Sequence, residues 1–306
     1  MKKLMVLLAI IILTLLLFIE VKYKKATELI SPLLSQEKIL GVNQWLPKEE
    51  ISRNTVEING TSLQISANAA LFVDSKSGQV LYSKNPHARV PIASLVKVMT
   101  VLVALEHKKM DDQFLVSQHD ADMEPDKMLL ITGEKLSLKE LLYGIFLVSA
   151  NDAAETLAEG TTGDRTEFIK LMNDKALQLG MKDTFYANPT GLDEDSNNSY
   201  SSAYDLAILT RYLIRNFPEV VSICSTEHII LPVTDIHQDY DLYSGINLLT
   251  TYPGVVGFKT GYTPEAGLTL INLTRKNGHE VIGVILGSGD RRDEARELLD
   301  YSFGKL

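Results

Sequence analysis

The sequence has one cysteine, Cys224, in 306 residues, so an internal disulfide is excluded. No cysteine follows the apolar leader near the N-terminus, which excludes a lipid-modified N-terminus as well. Positively charged residues are also few: the chain has 30 lysines and arginines against 39 aspartates and glutamates, so its net charge is −9. Because no basic cluster lies beyond the termini, nucleic acid is not expected as a partner.

The six histidines are scattered through the chain and show no spacing typical of a metal site. We therefore expect neither a metal nor a cofactor. The hydrophobic content of 45% is sufficient for a large core, in one or two domains.

The longest apolar run, Leu4–Ile19, follows two lysines and is interrupted only by Thr14. It predicts an export signal or a membrane anchor, and the lack of a small-residue cleavage site favours an uncleaved anchor. We expect residues 1–20 to form this leader, residues 21–64 a mostly polar tether, and residues 65–306 the folded domain. The alternative for the tether is an ordered extension that packs on the domain. In either case we expect an extracytoplasmic domain, anchored to the membrane or secreted.

Three short motifs occur in order: Ser94–Lys97 reads S-L-V-K, Ser149–Asn151 reads S-A-N, and Lys259–Gly261 reads K-T-G. Each fragment alone carries little information, because similar fragments occur elsewhere at Ser35–Lys38, Ser302–Lys305, Ser66–Asn68 and Lys76–Gly78. Ser94 differs from these copies because the residues after it would form a helix that is apolar on almost every face. Such a helix is typically buried. The first motif is therefore a candidate for chemistry.

A lysine three residues after a serine on a helix lies one turn away on the same face. Lys97 can thus act as the base that activates the Ser94 hydroxyl as a nucleophile. Burial and a second cation, Lys259, both favour the neutral amine. The alternative is a lysine whose amine reaches the surface.

The remaining motif residues have polar groups suited to a reacting carbonyl and a carboxylate. The backbone N–H groups of Ser94 and Tyr262 are candidate donors to an oxyanion. Lys259 and Thr260 offer a cation and a hydroxyl to a terminal carboxylate, and Gly261 permits close approach of a ligand. The alternative for Lys259 is a solvated lysine at the end of a strand.

The second motif offers a proton relay and an amide. Ser149 is a candidate to pass a proton to the leaving amine, or it is simply a helix cap. Asn151 is expected to hydrogen-bond the substrate amide or to orient Lys97.

With their surroundings, these motifs resemble the low-molecular-weight penicillin-binding proteins, specifically the serine D-alanyl-D-alanine carboxypeptidases. The resemblance extends over roughly residues 65–303. It includes the segments Leu141–Ala154, Gly191–Asp193, Ser202–Ala207, Asn247–Leu249 and Gly257–Gly267. It implies that Ser94 forms an acyl-enzyme with a peptidoglycan pentapeptide and releases its terminal D-alanine, in cell-wall synthesis or remodelling. It also implies that β-lactam antibiotics are covalent inhibitors.

Two features depart from the family's pattern. Many members continue into a small β-domain and an amphipathic C-terminal anchor, and we expect neither here. The family often has a carboxylate-binding arginine in the loop that corresponds to Gly289–Arg292, and the sequence leaves Arg291 and Arg292 open for that role.

The hydrophobic pattern predicts an α+β fold. Strands are expected at both ends of the domain: Ala69–Ser75, Gln79–Ser83, Gly254–Thr260, Gly267–Arg275 and Glu280–Leu286. Helices are expected between them and at the end: Ser94–His107, Leu138–Leu147, Asp152–Glu159, Arg165–Leu179, Ala203–Asn216 and Arg292–Phe303. One antiparallel sheet flanked by helices, with a helical lobe inserted between its N-terminal and C-terminal strands, accounts for this order. The resemblance implies the same architecture, the β-lactamase and penicillin-binding-protein-like transpeptidase fold.

Three other functions remain open from the sequence. A DD-endopeptidase that cuts peptide cross-links uses the same motifs. A β-lactamase needs a further general base, for which Glu194 and Asn198 have a suitable spacing. A non-catalytic module that binds the cell wall is the third alternative, although the motifs are intact.

Overall fold

The predicted antiparallel sheet, whose strands come from the two ends of the domain's sequence, is present and has five strands. The structure, a computed structural model, describes residues 56–58, 61–194 and 198–306. Its strands are β1 Val56–Ile58, β2 Thr61–Leu63, β3 Ala69–Asp74, β4 Val80–Lys84, β5 Val90–Pro91, β6 Gln113–Leu115, β7 Lys135–Ser137, β8 Tyr200–Ser201, β9 His228–Leu231, β10 Tyr240–Tyr243, β11 Val255–Thr263, β12 Gly267–Lys276 and β13 His279–Ser288. The main sheet has the order β11-β12-β13-β3-β4.

The helices lie mostly between β4 and β11. After a 3-10 helix at Ala93–Val96 they are α1 Lys97–His107, α2 Gln118–Ala121, α3 Leu138–Leu147, α4 Asn151–Thr162, α5 Arg165–Gln178, α6 Ala203–Asn216, α7 Glu219–Cys224, α8 Leu248–Thr251 and α9 Arg291–Gly304. This is the predicted α+β arrangement, and the fold class is confirmed.

The sheet is covered on both faces, which explains its continuous apolar strands. Every residue of β3 is buried, and successive side chains of a strand point to opposite faces. Phe72 packs in a core cluster with Leu298 and Leu299 of α9, whereas α6 packs against β3 and β13. The site therefore rests on a sheet that is fixed from two sides.

Pairing between β13 and β3 joins the two ends of the domain. Val281 pairs with Asp74 and Ile285 with Ala70. The 3-10 helix contacts β11 and β12, and α1 behind it packs on α4 and α5. This arrangement places the residues around 94 between the sheet and the helical lobe.

Several elements differ from the predictions. The helix at Glu219–Cys224 and the hairpin of His228–Leu231 with Tyr240–Tyr243 were not expected. The small sheet of Val56–Ile58 and Thr61–Leu63 lies within the range predicted as a tether. The boundary at residue 65 remains a prediction, and the leader Leu4–Ile19 lies outside the described residues.

None of the helices in the described ranges has both the length and the apolar character that a bilayer span requires.

Candidate active site

Ser94 lies in the 3-10 helix, immediately before α1. The preceding residue, Ala93, has a φ of +48°, a left-handed conformation that non-glycine residues rarely adopt. Gly191 packs directly on this turn, because a Cβ at Gly191 would lie 2.0 Å from the Ala93 carbonyl oxygen. A strained turn held by close packing is a feature that recurs at functional sites.

Lys97 is fully buried and lies one turn from Ser94. Its Nζ is 2.9 Å from Ser94 Oγ and donates to the carbonyl oxygen of Thr190 at 2.7 Å. Burial, and then the positive charge of Lys259, lower the pKa of Lys97 well below its usual value. A neutral amine in this position can donate one proton to Thr190 and still accept the proton of Ser94.

Lys259 of β11 contacts the second motif. Its Nζ donates to Ser149 Oγ at 2.8 Å and to the carbonyl oxygen of Thr260 at 2.6 Å. Ser149 has a φ of +61° in the turn between α3 and α4, which aims its hydroxyl at this lysine. Burial, and then the charge of Arg291, lower the pKa of Lys259 to about 7. The charge of Lys259 is therefore sensitive to small changes near neutral pH.

Asn151 is the first residue of α4 and is 1% exposed. Its side-chain amide donates to the carbonyl oxygen of Pro125, and its backbone N–H donates to that of Asp126 at 2.8 Å. Its own side-chain oxygen is buried and has no hydrogen-bond partner among the described residues. The side-chain amide hydrogen bond goes to Pro125 rather than to Lys97.

Gly261 brings β11 against the nucleophile. A Cβ at this position would lie 2.9 Å from the backbone nitrogen of Ser94 and 2.7 Å from Thr269 Oγ1. Only glycine permits so close an approach without displacing the strand or the 3-10 helix. Tyr262 follows on the same strand and is 62% exposed.

The two candidate arginines have different environments. Arg291 is partly buried, and its Nη1 donates to the carbonyl oxygens of Gly261 at 2.6 Å and Thr269 at 3.2 Å. Arg292 is exposed and pairs with Asp293 at 3.1 Å. Both arginines line a cavity of about 130 Å³ together with Thr260. Of the two, Arg291 is the one bound to the strand that carries the third motif.

Sequence reasoning did not select Asp152 and the carbonyl oxygen of Thr190. Asp152 is fully buried, and its two oxygens accept hydrogen bonds of 3.0 Å from the backbone N–H groups of Met128 and Leu130. These bonds fix the loop whose Pro125 contacts Asn151. The signal for Asp152 was its position directly after the S-A-N motif, in the first turn of a helix.

We expect Asp152→Ala to lower the free energy of unfolding by about 3 kcal/mol, because two buried N–H groups lose their partner. Urea unfolding of the purified chain measures this change. The matched control is Asp235→Ala, an exposed carboxylate, for which we expect a change within about 0.5 kcal/mol. Equal effects of the two substitutions would contradict the assigned role of Asp152.

A family model described as D-alanyl-D-alanine carboxypeptidase matches residues 54–290. The carboxypeptidase DacF of Bacillus subtilis is 36% identical over 254 residues, which are 80% of this chain and 64% of DacF. A crystal structure of a D-alanyl-D-alanine carboxypeptidase from Mycobacterium tuberculosis has a TM-score of 0.74 at 30% identity and covers 82% of this chain and 94% of its own. A penicillin-binding protein of Listeria monocytogenes, solved in its ampicillin-bound form, has a TM-score of 0.66 at 32% identity, over 79% of this chain and 98% of its own.

The chain spans slightly less than two thirds of the length of the first curated relatives it matches, 64% and 66%. The family match covers most of the described residues and all three motifs. The chain therefore belongs to the D-alanyl-D-alanine carboxypeptidase family.

Proposed function

We propose that this protein is a serine-type carboxypeptidase that removes the terminal D-alanine from peptidoglycan stem peptides. The observation that carries the proposal is the buried amine of Lys97 at 2.9 Å from Ser94 Oγ. Membership of the family supports the same reaction. Because peptidoglycan lies outside the cell membrane, we further propose an extracytoplasmic location, with residues 1–20 as the leader or anchor and residues 65–306 as the catalytic domain.

In the proposed acylation, Lys97 accepts the proton of Ser94 while Ser94 Oγ attacks the carbonyl carbon of the penultimate D-alanine. The backbone N–H groups of Ser94 and Tyr262 bind the oxyanion that forms. Ser149 passes a proton to the nitrogen of the departing D-alanine as the C–N bond breaks. Asn151 accepts a hydrogen bond from a substrate amide.

The preference for a chain end comes from the cations beside the third motif. Lys259, Thr260 and Arg291 offer two positive charges and a hydroxyl to the terminal carboxylate. Lys259 is buried and Arg291 partly buried, so both charges act in a region of low dielectric constant. A bound carboxylate also favours the protonated form of Lys259.

Water then hydrolyses the ester on Ser94 and regenerates the serine. A β-lactam enters the same pathway, because its ring amide presents a carbonyl to Ser94 and its carboxylate suits the same cations. The ampicillin-bound form of the Listeria relative supports this proposed inhibition.

The β-lactamase alternative receives no support from the residue suggested as its extra base. Glu194 is exposed, and its carboxylate pairs with Arg165 at 3.0 Å. Its backbone N–H donates to the side-chain oxygen of Asn198 at 2.9 Å, so the contact between these two residues is a hydrogen bond within the loop.

We expect the alkaline limb of the pH profile of kcat/KM to follow the deprotonation of Lys259. The Lys259 ammonium is charged below its pKa of about 7 and neutral above it, so carboxylate binding weakens as the pH rises through that value. We expect Lys259→Arg to move the alkaline limb upward by more than about one pH unit, because arginine keeps its charge. Steady-state assays between about pH 5 and pH 10 measure both limbs. An alkaline limb at the same pH in both proteins would be the contrary result.

The proposed function is tested by incubating the full chain in detergent with an acylated tripeptide that ends in D-Ala-D-Ala. We expect release of free D-alanine from this peptide by the natural chain and none by the Ser94→Ala variant. From the same peptide with an amidated C-terminus we expect no release of D-alanine amide. Cleavage of a cross-linked muropeptide without release of D-alanine from the tripeptide would overturn the carboxypeptidase in favour of an endopeptidase.

A further inference from the structure

Three potential metal ligands meet on the helical lobe, away from the residues assigned above. They are His119 and Asp120 of α2 and Glu159 of α4. One ligand atom from each lies within 4.8 Å of the others. The spacing of 39 residues between Asp120 and Glu159 explains why the pattern of histidines along the sequence did not indicate a site.

Asp120 shows that this is more than a group of surface charges. Its side chain is fully buried, and its Oδ2 accepts hydrogen bonds from the backbone N–H of Ser117 at 3.0 Å and from Thr156 Oγ1 at 3.2 Å. Its Oδ1 is buried and has no hydrogen-bond partner among the described residues. A buried carboxylate oxygen without a partner is costly, and a cation at this oxygen removes the cost.

The distances fit a small ion. His119 Nδ1 lies 3.7 Å from Asp120 Oδ1 and 3.5 Å from Glu159 Oε1, which is long for a hydrogen bond. A tetrahedral zinc ion with bonds of about 2.0–2.1 Å places neighbouring ligand atoms about 3.4 Å apart. Both distances from His119 are within a few tenths of an ångström of that spacing, and all three ligand atoms lie within 4.8 Å of one another.

The charges fit as well. Asp120 and Glu159 place two carboxylates around the same imidazole, and like charges so close together destabilise each other without a counterion. The other charged groups around the cluster are Glu155 and, bound to Glu155 at 3.0 Å, Arg165. Arg165 is thus already paired, and among the described residues His119 is the basic group within 4 Å of both Asp120 and Glu159. A metal-bound imidazole is neutral, so the two negative charges are then balanced by the bound ion.

We propose that His119, Asp120 and Glu159 bind a divalent transition-metal ion, with zinc as the preferred ion and water as the fourth ligand. An imidazole with two carboxylates suits zinc, whereas calcium and magnesium prefer oxygen ligands alone. The side chains of His119 and Glu159 are 54% and 36% exposed, so the ion enters from solvent and Asp120 forms the buried side of the site. His119 binds through Nδ1 and carries its proton on Nε2.

The ion would join α2 to α4, and α4 begins at Asn151. Because the three ligands come together only in the folded chain, zinc would stabilise the helical lobe. This effect is independent of whether the enzyme releases D-alanine.

The test is a zinc titration of the full chain in detergent, without a histidine tag and after dialysis against a chelator. Competition with a chromogenic chelator gives the stoichiometry and the Kd. We expect one site per chain, and we expect His119→Ala and Glu159→Gln each to raise the Kd at least about tenfold. The matched control is His228→Ala, which removes a histidine that pairs with one carboxylate, Asp241 at 2.6 Å, and should retain the site.

Thermal unfolding provides a second readout. Zinc should raise the Tm of the natural chain and of His228→Ala but not that of His119→Ala. The proposal is overturned if no saturable site exists, if the site survives both ligand substitutions, or if His228→Ala abolishes it. Competition by an equal concentration of magnesium would overturn the assignment to a transition metal. Asp120→Asn is not the primary variant, because Asp120 also caps α2.

Discussion

Lys97→Arg is expected to slow the acylation of Ser94 by about 1,000-fold, the range in which a general base contributes. Arginine remains protonated at any accessible pH, so it cannot accept the proton of Ser94. The new permanent charge would also lie beside Lys259 in a buried region. The measurement is the second-order rate constant for labelling with a fluorescent penicillin, with mass spectrometry to locate the adduct.

A buried arginine also carries a risk of misfolding, so Lys97→Met is the accompanying variant. Methionine has a similar length and no basic group. The matched control is Lys175→Met, because Lys175 is another buried lysine, paired with Glu106 at 2.5 Å. We expect Lys97→Met to remain folded and to lose acylation, whereas Lys175→Met loses stability and keeps its acylation rate. Acylation of folded Lys97→Met within about tenfold of the natural rate would remove Lys97 from the role of base.

Gly261→Ala is expected to slow acylation by about 100-fold, the effect of displacing or losing one oxyanion donor. The added methyl group would lie 2.9 Å from the Ser94 nitrogen and 2.7 Å from Thr269 Oγ1, so β11 and the 3-10 helix must separate. The backbone of Gly261 is not in the left-handed region, so the effect comes from contact rather than from backbone strain.

The same penicillin-labelling assay measures this effect, and thermal unfolding shows whether the variant is folded. Gly304→Ala is the matched control, since nothing lies within 4 Å of a Cβ at that glycine. An unchanged acylation rate in folded Gly261→Ala would mean that the third motif does not position the nucleophile.

The long elements of the fold were predictable because their apolar residues follow one clear period. Leu138–Leu147 and Ala203–Asn216 have the predicted bounds, and the five main strands lie within a few residues of theirs. Helix α7 and the hairpin of β9 and β10 were missed because they have only four to six residues each. Such short segments contain too few turns or alternations to show a period.

In the candidate site, the pair of Ser94 and Lys97 was predictable because helical geometry alone brings them together. The carbonyl oxygen of Thr190 was not, since any residue type has this group and only the tertiary structure brings it to Lys97. The choice between Arg291 and Arg292 depends on which one faces β11 at the start of α9, and this too is set by packing. The roles of the motif residues remain predictions until the substitutions above are measured.

The order of strands in the main sheet has a consequence for synthesis of the protein. Strand β13 lies between β12 and β3, so the hairpin of β3 and β4 joins β11 and β12 only through β13, which is the last of the five sheet strands along the chain. Ser94 and Lys97 are therefore translated long before β11 can be held against them. We therefore expect a nascent chain that ends before residue 279 not to react with penicillin at Ser94.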